Sequence, residues 1–268
     1  MSSTDRIVMA ELERRGVCAE LHLNHMPVLR LTDNEGPFGA SGAHEFLIPG
    51  SNLLELIVEP GPSPSRWKEP FLKEPPADAF ARARLMVYPP DVEPGLENGV
   101  LLGELNFRPE EKGALNFPKA FEKVVMPGVV LRPWAWQEAA VLSMGDALVA
   151  EAHALLEELV GAFRMGDANA VAKLTEIKIR DALRAYPAQT ETAFREMLGD
   201  YVRHHKKGAV RPLNPADYEF RLIADGRILE CLNRDFSPSM ELTDPELEMK
   251  VPYPVWLSQI GGKLVVVR

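Results

Sequence analysis

In LLEELVGAFRMGDANAVAKLT, residues 155–175, apolar side chains recur every three or four positions until Gly166-Asp167 breaks the run. Extended upstream, Leu148, Ala152, Leu155, Leu156, Leu159, Val160 and Phe163 fall on one stripe, the signature of an amphipathic helix. Asp167 suits the N-cap of a second helix, because its carboxylate can accept from the free N–H groups of the next turn. That helix turns Ala170, Val171, Leu174, Ile177 and Leu183 inward and stops at Tyr186-Pro187. Thr190 or Thr192 caps a third, whose stripe is Phe194, Met197, Leu198, Tyr201, Val202 and His205, with Gly208 at its end.

Downstream the period changes to two. Tyr218, Phe220 and Leu222 lead into Asp225-Gly226, and Ile228, Leu229 and Leu232 lead out, which reads as a hairpin. VPYPVWLSQI, Gly261-Gly262 and KLVVVR repeat the device, with Pro252 and Pro254 placing the first of these strands at an edge or bulge.

Upstream of Pro133 the chain also reads as strands. Most of the 23 prolines lie between Pro27 and Pro133, a density that forbids long helices. AELHL and MPVLRL flank Asn24-His25 as a tight hairpin. Leu47-Ile48 closes a short run, Pro49-Gly50 turns the chain, and Leu54, Leu56 and Val58 then alternate with Leu53, Glu55, Ile57 and Glu59. ARARLMVY (81–88), GVLLGELNF (99–107) and AFEKVVM (120–126) are further candidates, and EPGPSPSRWKEPFLKEPPAD (59–78) is a Pro-rich crossover between them. Short strands with turn signals between them predict an antiparallel sandwich. The expected class is therefore α+β: a β-sandwich domain over 1–133, then a three-helix plus antiparallel-sheet domain over 134–268.

Two resemblances sharpen this reading. LIPGSNLLELIV (47–58) is similar to the signature of jelly-roll domains of the galactose-binding type, and its residues are those of a turn and a core. The helix–Gly-Asp–helix phrase, with PVWLSQIGGKLVVVR at the end, resembles the nuclear-transport-factor-2-like (cystatin-like) α+β superfamily over about residues 150–268. That resemblance implies a sheet wrapped around the long helix and a conical cavity. Enzymes and pure binding modules share the fold, so it implies no activity.

The bulk composition excludes several functions. With 46% hydrophobic and 26% charged residues the chain reads as an ordinary globular protein, and its net charge of −9 repels a phosphate backbone. The short basic run His204-His205-Lys206-Lys207 reads as the solvated last turn of a helix. Cys18 and Cys231, far apart, read as two unrelated thiols in a reducing compartment. No window approaches the ~18–20 apolar residues that span a bilayer. The expectation is a cytoplasmic protein with no membrane span.

No complete catalytic motif is present. Gly39-Ala40-Ser41-Gly42-Ala43 has alanine where a nucleophile elbow needs its last glycine, and it reads as a small-residue loop. His22 and His25 sit at a hairpin without further ligands of zinc type, and His44-Glu45 is an isolated pair, so neither metal nor cofactor is expected. The candidate binding residues are Tyr201 and His205 on the third helix, with Tyr218, Phe220 and Trp256 on strands that could face it. His205 reads either as an acid–base group or as the half-exposed end of a buried stripe. Trp134 and Trp136, where the helical half begins, read as a ligand platform or as aromatics buried between domains. The leading expectation is a non-catalytic binding or assembly protein recognising another protein. A small-molecule hydrolase or isomerase using a C-terminal cavity is the alternative, and a carbohydrate-binding N-terminal module the third.

Overall fold

The computed structural model describes residues 7–32, 35–60, 74–89, 98–109, 117–128, 132–186, 190–206, 217–234, 237–244 and 250–268. Contacts divide the chain into two units, Met1–Pro133 and Trp134–Arg268. The class is α+β: among the described residues the first unit is built of strands with one 3₁₀ turn, and the α-helices lie in the second.

Among the described residues eight antiparallel strands build the first unit: β1 (Ile7–Arg15), β2 (Val17–Leu23), β3 (Met26–Leu31), β4 (Phe38–Gly42), β5 (Asn52–Pro60), β6 (Phe80–Tyr88), β7 (Val100–Phe107) and β8 (Lys119–Val125). They form two four-stranded sheets, ordered β4-β1-β6-β7 and β3-β2-β5-β8. β1 packs on β2 and β3, and β5 packs on β6 and β7, so the sheets lie face to face as a sandwich. Val8, Ala10, Leu12, Leu21, Leu23, Leu54, Leu56, Val58, Ala83 and Leu85 are wholly buried. Small residues let the sheets close tightly: a Cβ built on Gly103 would sit 2.6 Å from Val125.

The LIPGSN turn explains itself through Asn52, which is buried. Its Oδ1 accepts from the Ile48 N–H and from Asn24 Nδ2, both at 2.8 Å, and its Nδ2 donates to the Ile48 and Gly50 carbonyls at 3.0 Å. Asn24 in turn accepts from the Leu53 N–H at 3.0 Å and donates to the Phe46 carbonyl at 2.8 Å. Asn24 (φ 53°) and His25 (φ 63°) both occupy the left-handed region, the backbone that a two-residue hairpin requires. This pair of asparagines ties the hairpin to the turn that launches β5.

Three expectations for this unit are corrected. Residues 39–42 belong to edge strand β4, paired with β1, and are not a loop. A 3₁₀ turn, His44–Phe46, precedes Leu47, where a strand was expected to close. There His44 Nε2 accepts from the Val8 N–H at 3.0 Å, a structural role. β1 itself was not anticipated, because Ala, Glu, Leu and Arg favour helix and mask its alternation. Most of the Pro-rich segment 59–78 lies outside the described residues.

The second unit opens with α1 (Asp146–Met165), α2 (Ala168–Leu174), α3 (Glu176–Ala185) and α4 (Glu191–Lys206). Among the described residues six strands follow: β9 (Tyr218–Ile223), β10 (Ile228–Asn233), β11 (Met240–Thr243), β12 (Lys250–Tyr253), β13 (Val255–Ile260) and β14 (Lys263–Val266). β14-β13-β10-β9 form one antiparallel sheet and β11-β12 a separate hairpin. Gly166 (φ 70°) ends α1 in a left-handed cap, and Asp167 caps α2 by accepting from the Asn169 and Ala170 N–H groups at 3.1 and 3.0 Å. Thr190 caps α4, accepting from the Ala193 N–H at 3.2 Å. Gly261 and Gly262, at φ 60° and 78°, make the last two-residue turn.

The single second helix expected over 168–186 is two helices, parted at Thr175, whose hydroxyl donates to the Val171 carbonyl at 2.7 Å. Pro187 and Gly208, the expected stops, lie outside the described residues. Ala152, Leu156, Leu159, Val160 and Phe163 of α1 meet Val171, Val202, Leu229, Cys231, Val255, Leu257 and Val266 in one buried core. Among the described residues no helix is long and apolar enough to cross a membrane.

Candidate functional site

The apolar stripe of α4 is wider than its cover. Val202 and His205 are buried and Leu198 nearly so, but Met197, expected inward, is 53% exposed. Phe194, Met197, Leu198 and Tyr201 share one helix face by their three- and four-residue spacing. Opposite them stand Thr175, Lys178 and Ile179, one turn of α3 and its entry, and Tyr253 of β12 adds a ring. These eight residues line a cleft of about 200 Å³, open on one side and apolar over most of its wall, with Lys178 as its one charged residue.

Aromatic rings set its shape. The buried Phe163 of α1 meets Tyr253 edge-on at 5.2 Å between centroids and Tyr201 at 6.2 Å. Tyr201 and Tyr253 lie 6.4 Å apart, and the His205 ring stacks edge-on against Tyr201 at 4.3 Å. Edge-to-face pairs of this kind hold rings in fixed orientations. Lys178 Nζ sits 4.2 Å from the centre of the Tyr253 ring, a cation–π contact, and lies 3.5 Å from the Pro254 carbonyl. Burial pushes the Tyr201 hydroxyl up to about 12, and burial with the neighbouring Tyr201 pushes Tyr253 higher still. Both phenols therefore stay protonated at neutral pH. Thr175 spends its hydroxyl on the helix backbone, so it is no poised nucleophile. Among the described residues lining the cleft there is no carboxylate, thiol or imidazole.

Of the residues singled out by sequence, Tyr201 lines the cleft and His205 supports it from behind, buried rather than half-exposed. The other three do not join them. Tyr218 and Phe220 pack on His153 of α1, at 5.3 and 5.0 Å between ring centres, and neither lines the cleft. Trp256 pairs across the ladder with Glu230, whereas its neighbours Val255 and Leu257 enter the helix-facing core. Strand alternation thus puts Trp256 on the opposite face of the sheet, under the Arg268 guanidinium at 5.2 Å. Sequence reasoning missed Thr175, Lys178, Ile179 and Tyr253; the signal for Tyr253 was an aromatic between two prolines, where an interrupted strand turns a ring toward the helices.

Trp134 and Trp136 do not form a shared platform. Trp134 is buried, with the Arg184 guanidinium 5.3 Å from its ring, while Trp136 is half-buried on the following 3₁₀ turn. The adjoining Ala135 N–H donates to Asp181 at 3.0 Å, so this corner pins the segment to α3. The basic run at the end of α4 is not simply solvated either: His204 lies 3.1 Å from Asp244, and Lys207 is outside the described residues. His22 pairs with Glu20 at 2.7 Å and His25 with Glu55 at 2.9 Å. Comparison with family models, with curated proteins and with solved structures gives no match.

Proposed function

We propose that this chain is a non-catalytic binding or assembly protein, whose second unit is of nuclear-transport-factor-2-like type and recognises a partner protein by seating one apolar side chain in the α3–α4–Tyr253 cleft. The observation that carries this reading is the cleft itself, about 200 Å³ of apolar, one-sided space. Small-molecule sites usually run to about 300–1,000 Å³ and contain a few polar groups that fix orientation. A single anchoring side chain needs less room, because the rest of its partner supplies the register. Burying such an anchor is worth about 1.5–3 kcal/mol. A hydrolase or isomerase would need a group facing the cleft that changes charge near neutral pH. The described residues lining the cleft offer no carboxylate, thiol or imidazole for that purpose, which speaks against that alternative.

Methionine-methyl NMR tests the reading directly. Titration of the full chain with N-acetyl-tryptophanamide is expected to move the Met197 methyl resonance saturably, leaving methionines of the first unit in place. Met197→Glu, at an exposed position, is expected to keep the fold and lose the binding. Absence of any shift up to the solubility limit of the probe sinks the proposal.

A further inference from the structure

The cleft has one charged residue in its wall, and the element that carries it is basic in an acidic chain. α2 and α3 together hold Lys173, Lys178, Arg180 and Arg184 against Glu176 and Asp181, while the whole chain has a net charge of −9. Asp181 is engaged by the Ala135 N–H at 3.0 Å and by Arg184 at 3.2 Å. On the facing helix α4, Glu191 pairs with Arg195 at 2.9 Å and Asp200 pairs with Arg203, and Glu196 is exposed beside Met197. The walls themselves are aromatic, with Phe194, Tyr201 and Tyr253 around Leu198 and Ile179.

From this arrangement we infer that the occupant is an aromatic side chain flanked by a carboxylate on an acidic peptide segment, and that Lys178 is the residue that reads the acid. This rests on the cleft being the partner site. An aromatic ring fits between tyrosine and phenylalanine faces through offset or edge contacts. Lys178 keeps its alkyl stem along the cleft wall and its ammonium over Tyr253. An ammonium has three donors in a rotatable head. A carboxylate entering beside the ring therefore meets a cation already held at the cleft. The same placement disfavours a basic neighbour by like-charge repulsion.

The test uses the full chain and three tripeptides, acetyl-Asp-Trp-Asp-amide, acetyl-Asn-Trp-Asn-amide and acetyl-Lys-Trp-Lys-amide, with the Met197 methyl shift as readout. The acidic peptide is expected to bind about threefold to fivefold more tightly than the neutral one, as for an exposed charge pair. The basic peptide is expected to bind most weakly, and the spread to shrink as salt is added. Lys178→Met should abolish the difference between acidic and neutral peptides, Lys178→Arg should restore it, and Lys178→Glu should reverse the order. Thermal unfolding of each variant checks that the fold is retained. Equal affinities for acidic and neutral peptides, or a preference that survives Lys178→Met, overturn the role of Lys178 while leaving the cleft as a binding site. Failure of all three peptides to bind overturns both readings. Tighter binding of 3-phenylpropanoate than of the acidic peptide overturns the peptide as occupant.

Discussion

Asn52 occupies a position that only its own side chain can fill. It offers one acceptor and one amide to the Ile48 and Gly50 backbone groups of the turn, and it also receives Asn24. Removal leaves the buried Asn24 amide and the half-buried Ile48 backbone groups short of a partner. Asn52→Ala is therefore expected to cost about 2–4 kcal/mol, read from urea unfolding of the first unit; a loss below ~0.5 kcal/mol would show that water replaces the amide without strain. At this scale the sequence was only half legible. LIPGSN announced a turn, but its partner Asn24 lies 28 positions away and no local rule names it.

Elements were legible where one rule governs them and illegible where two compete. The caps Asp167 and Thr190 and the Gly261-Gly262 turn follow from local backbone chemistry, and each occurs as expected. β1 was hidden because its residues prefer helix, and Thr175 parts what periodicity alone makes continuous. Strand parity depends on pairing, and pairing put Trp256 and Val255 on opposite faces. The cleft arises from the same incompleteness: α4 carries its apolar stripe past the edge of its cover, leaving Met197 at the opening. Between sheets, the approach at Gly103 gives a sharp expectation. Val125 and Leu54 would lie 2.6 and 3.3 Å from a Cβ there, so Gly103→Val must push β7 away from β8 and β5. Overpacking of this kind costs about 1–3 kcal/mol. Thermal unfolding of Gly103→Val at the wild-type temperature would disprove the close approach.

Over the whole molecule, the switch from period two to period 3.6 and back was enough to give the α+β class, because it needs no knowledge of pairing. What it could not give is a cleft formed by residues from 175 to 253, which exists only once helices and a hairpin are assembled. The titratable groups also act at this scale. Burial raises Cys18 from 9.0 to about 12 and Tyr201 from 10.0 to about 12. A group whose native value is raised contributes stability that is complete below its unfolded value and is lost as pH climbs toward the native one. Melting temperature is thus expected to fall from about pH 9 upward as unfolded thiols and phenols ionise; a flat profile between pH 8.5 and 11 would contradict the burial of both groups. The two cysteines have a practical corollary. Each is sealed within a different unit, and each is poorly ionised in place. A disulfide-exchange reagent should consequently react with Cys18 only when the sandwich opens and with Cys231 only when the helical unit opens. Peptide mapping of the labelled sites over time would then time the two halves separately, with no engineered reporter.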